Sequence, residues 1–145
     1  MWFWDCLRIF GEEPHTPPDI YAYYIERICI RIQKCYPMAK VIFATSTRVQ
    51  SEKMTQDFMR YNHDIEKYNE VAVSVVKKYG FDVNDLYAVS ASLRDEAHSD
   101  PVHYYTSVAT KAFTNQVMSC LVPLLNIHEE VIYQESLYTD EPIGI

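Results

Sequence analysis

The spacing of apolar residues changes from one stretch of this chain to the next, and those changes divide it into elements. Between His15 and Pro37, Ile20, Tyr24, Ile28 and Ile32 recur every four residues, which predicts a helix with one apolar face. Thr16 is a candidate N-cap, Pro17 and Pro18 are tolerated in a first turn, Asp19 suits the positive end of the helix dipole, and Pro37 stops the helix. Val41 to Ala44 is an unbroken apolar run with β-branched residues, which predicts a strand covered on both faces, as in a parallel sheet. "STRVQSEKMTQDF" is polar and aperiodic and reads as a loop. Tyr61, Ile65, Tyr68, Ala72, Val75 or Val76, and Tyr79 then follow a three-four spacing that ends at Gly80, the glycine expected just past a helix. A short second strand is predicted over Val83 to Tyr87. Ala109, Ala112, Phe113, Gln116, Val117, Cys120 and Leu121 line one face of a last helix, and Pro123 follows it.

The order helix, strand, helix, strand, helix predicts an α/β fold with parallel strands joined by crossovers. No repeat or low-complexity segment interrupts it. Residues 1–122 read as one domain and 123–145 as an acidic extension, whose Val131–Tyr133 centre reads as a short strand or a docking segment.

Composition narrows the possible functions. The chain has 145 residues, 48% of them hydrophobic and 14% aromatic, enough for a packed core. Its formal net charge is -7, and no run of Lys or Arg exceeds the pair Lys77–Lys78. A phosphate-backbone surface works by releasing counterions from clustered cations, so nucleic acid is not expected as a partner. The opening "MWFWDCLRIF" lacks a basic leader and is too short for a bilayer span, so no membrane is expected and a cytoplasmic location is. Cys6, Cys29, Cys35 and Cys120 form no C-x-x-C pair and read as core thiols of a reducing compartment.

The densest chemistry is in "HSDPVHYYTSVATKAF", His98 to Phe113, in the loop that leads from the second strand to the last helix. In an Asp-x-x-His turn the carboxylate can curl back to accept Nδ1–H, fixing the tautomer and leaving Nε2 outward as a general base. Asp100 and His103 are therefore candidate orienter and base, with Pro101 stiffening the turn. A metal reading would take His98, Asp100 and His103 as ligands, but a flexible polar loop offers little of the rigidity such a site needs, so no metal is assigned. His98 then reads as solvent-facing or as support for the pair, while His15 and His63 lie in polar surroundings and suggest nothing.

Asp100, His103, Tyr104, Tyr105, Thr106 and the run to Leu121 resemble the last block of the SGNH (GDSL-type) hydrolase superfamily. "YPMAKVIFATST", "YNEVAVSVVKKYG" and "VNDLYAVS" look like its final strand-helix units, so the resemblance covers Trp4 to about Leu121. It implies a flavodoxin-like three-layer α/β sandwich, incomplete here, with the last two strands and three helices. It also implies that Asp100 and His103 are the last two members of a catalytic triad, that the substrate is an ester, often an acylated carbohydrate, and that no cofactor is needed. Trp4, Asp5, Thr45, Ser46 and Thr47 would border the substrate.

The family's Gly-Asp-Ser, Gly and Asn blocks have no counterpart, since the only glycines are Gly11, Gly80 and Gly144. "MWFWDC" would correspond to the stretch just beyond the Asn block. Ala109 stands where the family commonly has Gly early in the last helix. Ser46 lacks the strained elbow that exposes a nucleophile. The expectation is thus the carboxyl-terminal portion of a serine ester hydrolase, inactive alone, that self-associates or meets a complementing N-terminal segment. A noncatalytic assembly protein using an exposed sheet edge and a small metal-binding domain are the alternatives.

Overall fold

The computed structural model describes residues 4–10 and 13–125. It contains four α-helices and a two-stranded parallel sheet: α1 Pro18–Cys35, β1 Ile42–Ala44, α2 Asn62–Lys78, β2 Asp82–Asn84, α3 Leu86–Ser92 and α4 Ser107–Leu125. β1 and β2 pair in the register Ile42 to Asp82, Phe43 to Val83 and Ala44 to Asn84.

The core forms where α1 lies against α2. Tyr21, Ile25 and Cys29 of α1 meet Ile65, Tyr68, Ala72, Val75 and Val76 of α2, with Cys6 and Val49 completing the cluster. Fully burying each aliphatic side chain is worth about 1.5–3 kcal/mol. The rings of Tyr21 and Tyr68 meet at 5.0 Å, and the Tyr68 hydroxyl donates to the carbonyl of Thr16. The segment before α1 is latched to α2 by Arg8, whose Nε and Nη2 reach the two oxygens of buried Asp64 at 2.7 and 3.0 Å. A bidentate guanidinium–carboxylate pair of this kind fixes orientation as well as charge.

Successive strand side chains point to opposite faces. Phe43 and Val83 pack on the α1–α2 core, while Asn84 accepts from Gln116 of α4 on the other side at 3.0 Å. The sheet therefore separates two helical layers, giving a three-layer α/β arrangement whose sheet is two strands wide among the described residues.

Several sequence expectations shift. The buried face of α1 is Tyr21, Ile25 and Cys29, one position on from the predicted stripe, and Ile20, Tyr24 and Ile28 are exposed. Thr16 is not the N-cap; Pro17 is, with no side-chain cap, and the fixed proline φ starts the helix. β1 is half-buried with Ala44 exposed, not covered on both faces, because the sheet is narrow. β2 ends at Asn84 since Asp85 accepts from the amide of Ala88 and caps α3, a helix the strand prediction hid. The loop after β1 carries two 3-10 turns, at Ser51–Lys53 and Gln56–Phe58.

α2 ends as expected, with Gly80 at a φ of 71°. α4 runs through Pro123 to Leu125, and of its predicted face only Ala109 is buried. Cys6 and Cys29 are buried, Cys120 is half-buried, and Cys35 is exposed instead of in the core. Val131–Tyr133 lies outside the described residues. No described helix is long and apolar enough to cross a membrane.

Candidate functional site

The site is built on the chain that leaves the carboxyl end of β1. Residues 45–50 run in extended fashion along α2, held by two asparagines seven residues apart. Asn69 accepts from the amide of Ser46 at 2.8 Å and donates to its carbonyl at 2.9 Å. Asn62 does the same for Val49, at 2.9 and 3.0 Å. A side-chain amide carries the same donor and acceptor as a peptide group, so each asparagine stands in for a neighbouring strand.

The loop that carries the Asp-x-x-His motif is fastened to the other side of this chain. The amide of Arg48 donates to Ser90 Oγ at 2.9 Å, the amide of Gln50 to the carbonyl of Pro101 at 2.9 Å, and the Tyr104 hydroxyl to the carbonyl of Arg48 at 3.0 Å. Asp100 and His103 thus stand on the carboxyl side of the sheet, where open α/β folds place their sites.

Within the turn, Asp100 Oδ1 accepts from the amides of Val102 and His103, both at 2.8 Å, and Oδ2 lies 2.7 Å from His103 Nδ1. Partial burial opposes ionisation of Asp100. The Val102 amide, the His103 ring and the His103 amide outweigh it and hold its pKa below the ordinary value. An ionised carboxylate can only accept, so the bond places a proton on Nδ1, and in the neutral imidazole the lone pair is on Nε2. The two side chains are 46% and 52% exposed, and Nε2 has no partner among the described residues. Below the ring, Tyr105 stacks at 5.2 Å and 10°, while the Ser99 amide donates to the carbonyl of His103 at 2.8 Å. The pair is oriented and open to solvent.

His98 is half-buried, and its ring meets the backbone of Asp100. Its ring centre lies 3.9 Å from that of Tyr104, and Nδ1 is buried without a hydrogen-bond partner. Burial, reinforced by nearby Arg48, lowers its pKa. Among the described residues no three His, Cys, Asp or Glu side chains are grouped to hold a metal.

The other predicted residues occupy different surroundings. Trp4 is exposed, edge-on to Phe58 at 6.4 Å, with the Arg60 guanidinium 5.7 Å above its ring. Asp5 lines a groove along α1. Thr45 is buried, its hydroxyl donating to Asp85 at 3.1 Å and accepting the amide of Tyr87 at 2.9 Å. Ser46 is held through its backbone by Asn69, and Thr47 is half-buried beside it. None of these contacts joins them to Asp100 or His103. Asn62, Asn69, Ser90 and Gln50, which position the loop, were missed by sequence reasoning. The available signal was two asparagines at helical spacing along α2, the second on its buried face.

No family model and no curated protein matches the sequence. Among solved structures, the chain is similar to LAE5, an alpha/beta hydrolase enzyme from the metagenome of Lake Arreo, Spain, with a TM-score of 0.53 and 12% sequence identity. The match covers 72% of this chain and 47% of that one, so the chain spans about half the length of this relative. At that identity the likeness is one of fold: an α/β arrangement of helices around a parallel sheet.

Proposed function

We propose that this chain supplies the Asp–His half of an SGNH-type serine ester hydrolase site, on a flavodoxin-like sandwich whose remaining strands and nucleophile come from a complementing segment. The observation that carries this reading is Asp100 Oδ2 at 2.7 Å from His103 Nδ1, with Nε2 left open. In the proposed reaction Nε2 takes the proton of a serine hydroxyl as its oxygen bonds to the ester carbonyl carbon. The same proton then passes to the alcohol oxygen as the carbon–oxygen bond breaks, and water repeats the sequence on the acyl-enzyme. Asp100 stabilises the imidazolium between those steps. Acylated carbohydrate is the proposed substrate class, and no metal or cofactor takes part. Trp4, whose exposed indole offers a stacking face, is proposed to border the cleft with Asp5 and the Thr45–Thr47 stretch.

The test is hydrolysis of p-nitrophenyl acetate by the chain fused behind a segment bearing the Gly-Asp-Ser, Gly and Asn blocks. Activity is expected to appear, to vanish in His103→Ala and to persist in His98→Ala. Equal loss in both variants would sink the assignment. The chain alone lacks the nucleophile, a loss worth on the order of a million-fold in kcat. Turnover by it above about one per second, stopped by a serine-directed phosphonate, would point to Ser46 instead. A noncatalytic assembly role is the second reading, favoured by the absence of a strand beyond β1 among the described residues.

A further inference from the structure

The outward face of α1 is apolar and basic at once. Ile20, Tyr24 and Ile28 are exposed, and a groove of about 530 Å³ runs along Tyr21, Tyr24, Arg27, Ile28, Arg31 and Ile32, with Asp5 at its side. Arg27 and Arg31 are one helical turn apart, both exposed, and neither has an ion-pair partner among the described residues. In a chain of net charge -7, two unpaired guanidinium groups beside an apolar groove select an acidic, aromatic-bearing occupant.

The chain itself contains such a sequence. Residues 126–145 hold five carboxylates, Glu129, Glu130, Glu135, Asp140 and Glu141, and no Lys or Arg, around the apolar residues Ile127, Val131, Ile132, Tyr133, Leu137 and Tyr138. Those twenty residues follow Leu125 directly, and the ten from Leu125 to Glu135 alone reach about 33–36 Å fully extended, enough to pass from the α4 layer around the narrow sheet to α1. A tether of this size gives an effective concentration on the order of millimolar, so a weak groove is enough. We propose that the acidic segment 133–141 docks on the α1 groove of its own chain, with the carboxylates of Glu135, Asp140 and Glu141 against Arg27 and Arg31. The proposal is independent of the hydrolase reading, because it uses no residue of the Asp100–His103 turn.

The test is amide hydrogen exchange on the full chain, at several protein concentrations. Amides of 133–141 are expected to exchange at least tenfold more slowly than in the free 126–145 peptide. The protection should be lost in Arg27→Glu/Arg31→Glu and regained when Glu135→Arg/Asp140→Arg/Glu141→Arg is added. Both arginines are exposed on the helix surface, so the reversal leaves the core intact, and far-UV circular dichroism checks this. Exchange at the free-peptide rate would overturn the proposal and leave the groove to an external partner. Protection indifferent to the arginines would also overturn it. Protection that grows with chain concentration would replace it with docking between two copies.

Discussion

Two helical layers face the same two-stranded sheet, and only one of them makes a core. On the α1–α2 side ten residues form a buried cluster, whereas within α4 Ala109 alone is buried, beside Asn84 of β2 and Ser90 of α3, although α4 is the more apolar helix. The difference lies in what each layer packs against. α1 and α2 bury each other, so their shared face stays dry whatever the width of the sheet. α4 has mainly the sheet and α3 beneath it, and two strands, about 5 Å apart, are narrower than the 10–12 Å diameter of a helix with its side chains. Sheet width, and not the sequence of α4, limits the second layer.

The largest test of that contrast is a pair of truncations. Ile65→Ala empties space inside the α1–α2 cluster and is expected to cost about 2–5 kcal/mol. Val117→Ala removes a half-buried side chain from α4 and should cost about 1 kcal/mol or less. Urea midpoints of the two variants measure the difference. Equal losses would mean that α4 is buried in solution by another copy or a partner.

Legibility in the sequence followed the same division between local and distant contacts. α2 could be read end to end, because its three-four spacing and Gly80 are local signals. α1 was read in extent but rotated by one position, since Ile20, Tyr24 and Ile28 form as regular a stripe as Tyr21, Ile25 and Cys29, and only α2 decides between them. The hydrogen bond between Asp100 and His103 followed from their spacing of three. Fastening of that turn by Gln50, Ser90 and the Asn62–Asn69 clasp did not, since those partners are 13 to 51 residues away. β2 is shorter than the sequence predicts because Asp85, inside the expected strand, caps α3 instead.

A smaller effect separates the layers by pH. His98 lies on the loop that feeds α4, and burial lowers its pKa from 6.5 in the folded chain. Below that value the unfolded chain binds a proton that the folded one resists, so this contribution to stability is complete above pH 6.5 and is lost as the pH falls through the lowered folded value. The other charged groups acting on the ring are Arg48, Lys53, Asp95 and the Asp100 turn. His98→Phe keeps the stack on Tyr104 without the titration. Its urea midpoint should fall less than that of the parent chain between pH 7.5 and 5.5. A parallel fall in both proteins would remove His98 as the cause.

The smallest effect perturbs no stability at all and reads the two layers directly through the native thiols. Cys6 and Cys29 belong to the α1–α2 cluster, Cys120 to α4, and Cys35 to the exposed end of α1. Burial pushes the Cys6 thiol up to about 11 and raises that of Cys29, and the thiolate is the species that reacts. Under native conditions an aromatic disulfide reagent should therefore label Cys35 at once and Cys120 next, because a half-buried thiol on a thinly covered helix needs only local opening. Cys6 and Cys29 should wait for the cluster itself to open, and their rates should rise with urea along the global unfolding curve. Mass spectrometry of labelled peptides over time gives all four rates in one experiment. If Cys120 and Cys29 reacted together, α4 would be as well covered as α1, and the narrow sheet would not be what distinguishes the two layers.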